Sequence, residues 1–452
     1  MDSTDYEHGT VPADQRKSWI SIAAVWIAIG IDLSGAFLGI ALASGMAFWP
    51  AILATVTGSL LLGLLAMACA YVGAATGLST AMISRAVFGK IGGAVLALAL
   101  AISLLGWFAV QAGFFGSNAQ IAFTELTGFE LPVQLFTAIG GVLMVLTALW
   151  GYRSISRLST LAVPLLLILL VVGVIVAFAM HGASGLDAPV EATITFGGAV
   201  SLVMGIFILG VVSAPDMARW AKTPKQAMAA GFVGFFFGNS IIIVVAILLA
   251  RVMNQSELMT IYFALGLGVI AVVVLILAQW TTNTTNIYSA ALSFASINGR
   301  LNRRTLTIIG GAIGIVIAVA GAADFFVPFI LAIGVVIAPY GGVYLAAYLT
   351  GRRSARWSAG AAVPTVDGWA IAAWAVGILV ALATTNPADG LGFGWFSLTT
   401  ISALDGLIVG FVVYLALLPL RRRELPEHVE SAATAATGAA AGTGLDPEEA
   451  RA

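Results

Sequence analysis

Apolar residues run along the chain in long blocks, separated by short stretches rich in charged and turn-forming residues. A block of roughly 18 residues can cross ~30 Å of hydrocarbon as an α-helix, which rises about 1.5 Å per residue. The blocks of this length are residues 18–46, 49–75, 91–122, 133–150, 158–180, 193–214, 226–250, 262–296, 304–322, 325–350, 367–386 and 397–420. They predict an all-α membrane protein with about twelve transmembrane helices, called spans 1 to 12 below.

The composition supports this class. Hydrophobic residues make up 60% of the chain and charged residues only 9%, whereas a soluble domain carries about 25% charged residues. The net charge is −1 and no basic stripe is present, which excludes a nucleic-acid partner. The lone Cys69 allows no intrachain disulfide.

The basic residues predict the orientation. If the N-terminal tail is cytoplasmic, every Lys and Arg except Arg251 falls in a tail, in a loop that follows an even-numbered span or, for Arg304, at the end of such a loop. Cytoplasmic loops of membrane proteins carry such an excess of positive charge. We therefore predict both termini in the cytoplasm, in a multi-pass protein of a bacterial-type inner (plasma) membrane.

Both ends of the chain differ from the spans. Residues 1–17 are polar and acidic and lack an apolar stretch of their own, so they predict a cytoplasmic tail rather than a signal peptide. Residues 424–452 are rich in Ala, Gly, Thr and Glu. Such a segment has too few apolar anchors to offset the entropy of ordering, and it predicts a disordered cytoplasmic tail.

Two spans contain features that weaken a continuous helix. In span 1, Gly30, Gly35 and Gly39 surround Asp32, close to the predicted bilayer centre. Span 6, five spans later, contains Gly197, Gly198, Gly205 and Gly210. Interrupted helices in corresponding positions are typical of inverted-repeat transporters, with the binding site at the breaks. The alternative is that these glycines serve close helix packing.

A five-plus-five inverted repeat divides the chain as follows. Residues 18–180 form the first repeat with spans 1 to 5, and residues 193–350 form the second with spans 6 to 10. Residues 367–420 add two further C-terminal helices.

Asp32 is the most informative single residue, because a charge at mid-bilayer costs about 2.5–3.5 kcal/mol even on the lenient scale. Its carboxylate could be a cation ligand or a proton carrier. It could also cap the N-terminus of a second half-helix. These roles do not exclude one another, and the sequence favours a cation role.

Span 8 contains the densest polar cluster, from Gln279 to Asn286. The amides of Gln279 and Asn283 could bind a hydrogen-bonding ligand. The hydroxyls of Thr281 and Thr282 are hard oxygen donors that suit Na⁺. The alternative is hydrogen bonding between helices, which is common in bundles.

Span 3 adds Trp107 and, one turn on, Gln111. Aromatic residues in a span more often face lipid or core than a ligand. A partner such as Phe207 in span 6 makes a stacking slot plausible.

Several motifs in order resemble the nucleobase–cation symporter family of purine–cytosine permeases, and the bacterial cytosine-permease branch in particular. The resemblance covers roughly residues 15 to 425. It is carried by Gly77-Leu78-Ser79-Thr80, Arg85, Phe88-Gly89, Gly106-Trp107-Phe108, Pro215-Asp216-Met217-Ala218-Arg219-Trp220-Ala221-Lys222, Trp280-Thr281-Thr282-Asn283 and Pro339-Tyr340-Gly341-Gly342.

The resemblance implies a LeuT-like fold, a heterocyclic base between aromatics of spans 3 and 6, and Na⁺ between spans 1 and 8. It makes Trp107 and Phe207 the stacking residues and Asn283 the base-reading amide. It makes Thr281 and Thr282 sodium ligands, completed by backbone carbonyls near Gly30 and of Ala278. Gln111, Gln279 and Gly205 complete the expected set of substrate contacts.

Three departures from the family pattern concern specificity. Leu104 and Leu209 stand where cytosine permeases tend to carry Gln and Ser, and Asp32 stands where an apolar residue is usual. Specificity lies in a few buried hydrogen bonds, so the loss of two polar contacts weakens the case for cytosine itself. We expect import of a nucleobase (cytosine- or purine-like) or a related planar heterocycle, with Na⁺ favoured over H⁺. Hydroxymethylpyrimidine and a hydantoin- or allantoin-like compound remain alternatives.

Other functional classes lack support in the residues. All three histidines (His8, His181 and His428) fall in tails or loops, which leaves an intramembrane enzyme without a base or metal cluster. A channel would show a repeated filter or a charge ring, and neither is present. We therefore expect a transporter rather than an enzyme, with no cofactor beyond its coupling ion. Its partners are a small heterocycle and the lipid bilayer. The oligomeric state is open, with a monomer as one option.

Overall fold

The structure is a computed structural model that describes residues 11–150, 152–297, 302–351, 355–358 and 361–420. The predicted disordered tail at 424–452 lies outside these residues.

Helices account for most of the described chain, which contains no β-strand. They are α1 (Trp19–Gly30), α2 (Leu33–Gly45), α3 (Phe48–Thr76), α4 (Thr80–Thr127), α5 (Val133–Trp150), α6 (Tyr152–His181), α7 (Phe196–Val212), α8 (Pro215–Ala218), α9 (Pro224–Met253), α10 (Leu258–Ala264), α11 (Gly268–Ile297), α12 (Arg303–Val319), α13 (Phe326–Thr350), α14 (Gly368–Thr384) and α15 (Ser402–Leu420). Each predicted span coincides with one of the longer helices, except that α1 and α2 share the first.

The helix boundaries follow from local chemistry. Ser18 and Thr223 accept hydrogen bonds from backbone N–H groups in the first turns of α1 and α9. Such caps satisfy N–H groups that have no partner within the helix. Gly77 ends α3 in a left-handed conformation (φ 70°), which glycine adopts without the steric cost of a Cβ atom.

Seven helices in the described residues are long and apolar enough to cross a membrane. The number is eight if α1 and α2 count as one span, bent by 54° at the break between them. Shorter apolar helices are found at Val133–Leu149, Phe196–Val212 and Gly368–Thr384. The all-α membrane class is thus confirmed, while the count of twelve crossings stays a prediction.

Two central helix pairs organise the packing: α3 lies along α9, and α4 lies along α11. The first repeat packs on the second in a reciprocal way, because α1 and α2 pack on α9 as α7 packs on α3. Likewise α5 contacts α11, and α12 contacts α4. An inverted repeat requires such exchange of partners, although the domain boundaries given above stay a prediction.

The predicted break in span 6 is wrong, since α7 is a continuous helix through all four glycines. These glycines serve close packing instead. A Cβ atom on Gly205 would lie 2.7 Å from the carbonyl oxygen of Ile330, and one on Gly198 would meet the carboxylate of Asp389. The backbone of α13 and the α14–α15 loop approach α7 where no side chain stands in the way.

Candidate substrate and cation site

The predicted break in span 1 is present and centres on Asp32. Helix α1 ends at Gly30 and α2 begins at Leu33, with Asp32 in an extended conformation between them (φ −117°, ψ 148°). The carboxylate oxygen Oδ2 accepts a hydrogen bond from the backbone N–H of Ser34 at 3.3 Å. Asp32 therefore caps the N-terminus of α2, which was one of the roles predicted for it from the sequence. The break also leaves the last carbonyl groups of α1 without partners inside their helix.

A hydrogen-bonded chain joins the break to α4. The hydroxyl of Ser34 donates to Asp32 Oδ2 at 2.5 Å and accepts from Gln111 Nε2 at 2.7 Å. Ser34 and Gln111 are both buried, with 1% and 2% of their surface exposed. The structure thus brings the predicted Asp32 and Gln111 together through Ser34, which the sequence analysis did not select. No motif marked this serine, because its partner lies 77 positions away.

Several buried polar atoms of the predicted site residues have no hydrogen-bond partner. In the described part of the chain they include Asp32 Oδ1, Gln111 Oε1 and Gln279 Nε2. A buried polar atom without a partner costs about 1–3 kcal/mol. Three such atoms, contributed by the break, α4 and α11, are what a site that binds a polar ligand would offer.

Helix α11 contributes two predicted site residues, Gln279 and Thr282. Gln279 Oε1 accepts from Asn118 Nδ2 of α4 at 3.2 Å. One turn further along α11, the Thr282 side chain lies beside the Asp32 carboxylate. The structure therefore brings Asp32 and Thr282 together, and their binding of a cation stays a prediction.

The other predicted cation ligands are Thr281, Ala278 and Gly30. Thr281 donates its hydroxyl proton to the carbonyl oxygen of Ala278 at 2.9 Å, which leaves the lone pairs of the hydroxyl oxygen available. A Cβ atom on Gly30 would lie 2.8 Å from Gly238, so α1 lies against α9 at the point where it ends. The roles of Thr281, Ala278 and Gly30 in cation binding stay predictions.

Asn283 is held by two hydrogen bonds to neighbouring helices. Its Nδ2 atom donates to the carbonyl oxygen of Phe108 at 3.0 Å and to the sulfur of Met144 at 3.2 Å. The residue is completely buried. The Nδ2 atom of Asn283 therefore holds α11 against α4 and α5, and the role of Asn283 as the base-reading amide stays a prediction.

Trp107 and Phe207 are buried in the main core. The Trp107 ring packs edge-on against Phe329 and Phe326 of α13, with centroid distances of 5.2 and 6.2 Å. Phe207 lies on α7, two residues after Gly205, which is a packing position against Ile330 as described above. A planar ligand between the Trp107 and Phe207 rings stays a prediction, and Gly205 is not supported as a ligand contact.

An aromatic layer separates Trp107 from a cavity of about 480 Å³ on the face predicted to be outside. The rings of Phe37 and Phe114 stack at 3.9 Å, and Phe326 packs edge-on against Phe114 at 5.0 Å. All three rings line this cavity, together with the carboxylates of Glu257 and Asp324. The cavity therefore has an acidic mouth and an aromatic floor.

A second cavity, of about 440 Å³, opens on the opposite face beside α8. There Asp216 Oδ1 accepts from the backbone N–H of Thr80 at 2.7 Å, which joins α8 to the start of α4. Burial raises the pKa of Asp216, against the opposing effects of the Thr80 hydrogen bond and the Arg219 charge. Nearby, the hydroxyls of Ser84 and Tyr340 lie 2.6 Å apart.

The chain was compared with known proteins. Residues 10–409 match a family described as a permease for cytosine/purines, uracil, thiamine and allantoin. The cytosine permease of Escherichia coli (strain K12) is 31% identical over 435 residues, which cover 94% of this chain and 98% of that protein. The chain belongs to the nucleobase–cation symporter family.

A second permease and a solved structure are also similar to this symporter family member. The hydantoin permease of Microbacterium maritypicum is 24% identical over 372 residues, covering 75% of this chain and 74% of that protein. The solved structure of Mhp1 in its inward-facing conformation superposes with a TM-score of 0.79, at 19% identity, over 92% of this chain and 94% of Mhp1. The family resemblance and the LeuT-like fold class are thus confirmed, and the chain is a multi-pass membrane permease.

Proposed function

We propose that this chain is a secondary active transporter that imports a nucleobase or a related planar heterocycle together with Na⁺. The observation that carries the proposal is the set of unpartnered polar atoms on the predicted site residues. Asp32 Oδ1, Gln111 Oε1 and Gln279 Nε2 are buried and come from three different elements. Gln111 Oε1 and Gln279 Nε2 supply one acceptor and one donor, the complement of the N–H donors and the ring or carbonyl acceptor that a small heterocycle carries, and Asp32 Oδ1 is left for the cation.

Sodium is supported by the donor chemistry of the break. A Na⁺ ion prefers hard oxygen ligands. The free carboxylate oxygen of Asp32 and the hydroxyl of Thr282 provide such atoms. The negative end of the α1 dipole is directed at the same place and favours a cation there. Transport coupled to protons is the second candidate, because an intramembrane carboxylate can carry a proton.

Uptake by proteoliposomes under a pure Na⁺ gradient and under a pure pH gradient tests the coupling. We expect sodium-driven, concentrative uptake that Asp32→Asn abolishes. Asp405→Asn in α15 is the matched control, since that buried carboxylate accepts hydrogen bonds from Thr399, just before its own helix. Sodium-driven uptake unaffected by Asp32→Asn would leave Asp32 as a helix cap only. Proton-driven uptake without a sodium response would replace the proposed ion, and downhill flux alone would indicate a channel.

The identity of the heterocycle is a separate question. Leu104 and Leu209 replace polar residues that cytosine permeases tend to carry, which favours a substrate other than cytosine. A thermal-shift screen of nucleobases, hydantoins, allantoin and hydroxymethylpyrimidine, with and without Na⁺, identifies it, because a ligand that binds the folded state raises its stability.

A further inference from the structure

Ser34 lies between the two parts of the candidate site. Its hydroxyl oxygen is 2.5 Å from Asp32 Oδ2 and 2.7 Å from Gln111 Nε2. The two atoms at the outer ends of this chain, Asp32 Oδ1 and Gln111 Oε1, are both buried without a partner. The serine is thus the single link between the carboxylate assigned to the cation and the amide assigned to the substrate.

The available protons determine the direction of the hydrogen bonds that join Asp32, Ser34 and Gln111. An ionised carboxylate can only accept hydrogen bonds, and a serine hydroxyl has one proton to donate. That proton is committed to Asp32 Oδ2, so the Ser34 oxygen can only accept from Gln111. The NH₂ group of Gln111 must then face Ser34, and its carbonyl oxygen must face away. The orientation of the Gln111 amide follows from chemistry, since the opposite orientation would place two acceptors against each other.

We propose that Ser34 is a positioning residue that makes Gln111 present its carbonyl oxygen to the substrate, so that the site selects amino-substituted heterocycles and makes this selection dependent on the cation. The proposal rests on the proposed function. An exocyclic amino group supplies the N–H donor that Gln111 Oε1 lacks. A ring without that group leaves the buried carbonyl oxygen unpaired, which is costly.

Through the same hydrogen bonds, a bound cation would change the affinity for the substrate. A cation bound at Asp32 Oδ1 would hold the carboxylate in one orientation and keep Oδ2 directed at Ser34. Without the cation the carboxylate would be less restrained, which would weaken the Ser34 hydrogen bond and with it the hold on the Gln111 amide. Substrate affinity should therefore rise with Na⁺ through Ser34, which is a coupling free energy between two sites.

The test uses the purified full-length chain and two pairs of probes, each differing by one amino group. These are adenine with purine, and cytosine with pyrimidin-2-one. Dissociation constants are measured in NaCl and in choline chloride. For the wild type we expect loss of the amino group to weaken binding about tenfold, as a lost hydrogen bond of ordinary strength implies. Replacing Na⁺ by choline should weaken binding of the amino-substituted probe.

Ser34→Ala should bring both ratios close to one while the protein stays folded, because the backbone N–H of residue 34 still donates to Asp32 Oδ2. Ser34→Cys keeps the side-chain shape with a much weaker donor, and it should behave like Ser34→Ala if the alanine variant is unstable. Ser103→Ala is the control, since the Ser103 hydroxyl only donates to Ala99 of its own helix, α4.

The outcomes are distinct. Unchanged amino and Na⁺ ratios in a folded Ser34 variant, with binding intact in the wild type, overturn the role of Ser34 alone. Wild-type protein that binds none of the four probes, nor any other heterocycle of the thermal-shift screen, overturns the proposed function and the role of Ser34 with it. Loss of both ratios in the Ser34 variant and not in Ser103→Ala supports the proposal.

Discussion

The side-chain amide of Asn283 donates to the backbone carbonyl oxygen of Phe108 at 3.0 Å, and this hydrogen bond joins α11 to α4. Because the amide also donates to Met144, we expect Asn283→Ala to act on stability rather than on substrate binding. Leaving a buried carbonyl unpaired should cost about 1–3 kcal/mol in the free energy of unfolding. Thermal unfolding measures this loss.

The neighbouring Asn286 provides the matched control for Asn283. Its Nδ2 atom makes only a long contact of 3.5 Å to Asn283 Oδ1, so Asn286→Ala should change stability little. A large drop in substrate affinity in Asn283→Ala, with unchanged stability, would support the base-reading role that the family resemblance implies.

Trp107 tests the aromatic side of the site. Its ring is 7% exposed and packs edge-on against Phe326 and Phe329. We expect Trp107→Ala to abolish binding of planar bases, because the face of the ring supplies the stacking surface. Trp107→Phe should retain part of the affinity. Equilibrium binding in detergent decides, and unchanged affinity in the alanine variant excludes stacking on Trp107.

Leu104 and Leu209 test substrate identity. Both are partly buried, and each stands where cytosine permeases tend to have a polar side chain. We expect cytosine to bind more weakly than a larger or less polar heterocycle in a competition panel of purines, uracil, hydantoins and hydroxymethylpyrimidine. Introducing Leu104→Gln and Leu209→Ser together should raise the affinity for cytosine, by about tenfold for each buried hydrogen bond that is gained. Cytosine as the preferred ligand of the wild type contradicts this expectation.

Arg251 is the one basic residue that the sequence predicts on the outer face, and it stabilises the α6–α7 loop there. Its guanidinium donates to Leu186 and Ala188 of the α6–α7 loop at 2.8 and 2.7 Å, and to Ala43 of α2 at 3.4 Å. We expect Arg251→Ala to lower the free energy of unfolding by about 2–3 kcal/mol, since hydrogen bonds to charged groups are worth about 1.5–3 kcal/mol.

Arg251→Lys separates geometry from charge. The lysine keeps the charge but not the planar fork that reaches several carbonyl groups at once, so it should recover little of the loss. The exposed Lys225 is the control for removing a charge. Full recovery by lysine would show that charge, and not the geometry of the guanidinium, stabilises the loop.

We expect the stability of the protein to depend on pH through the carboxyl group of Asp216. Burial raises the pKa of this carboxyl group in the folded protein, so its contribution to stability is fully present below the unfolded pKa and is lost as the pH rises through the folded pKa. Asp216→Asn keeps the acceptor for Thr80 and cannot ionise. We expect this variant to unfold at the same temperature as the wild type near pH 4 and at a higher temperature at pH 8.

The control for this prediction is Asp216→Ala, which removes the acceptor of the Thr80 N–H and should destabilise the protein at every pH. An unfolding temperature of Asp216→Asn that stays at a constant distance from the wild type between pH 4 and 8 would count against a raised pKa.

Much of this protein follows from the sequence alone, because bilayer thickness imposes a length on each apolar block. The helices at each predicted span, the break at Asp32 and the family motifs are all local properties, readable from composition and short spacings. A carboxylate between glycines in an apolar stretch predicts the end of one helix and the cap of another, since both depend on residues within one turn.

Only the tertiary structure decided where side chains of the same helix point. Gln279 and Thr282 are directed at Asn118 and Asp32, whereas Asn283 is bound to Phe108, and spacing along α11 alone could not separate these directions. The glycines of α7 likewise proved to be packing positions, because the approach of α13 determines their use. The link from Asp32 through Ser34 to Gln111 joins residues far apart in the chain. Such hydrogen bonds depend on how the helices are arranged in space, and no local pattern in the sequence specifies that arrangement.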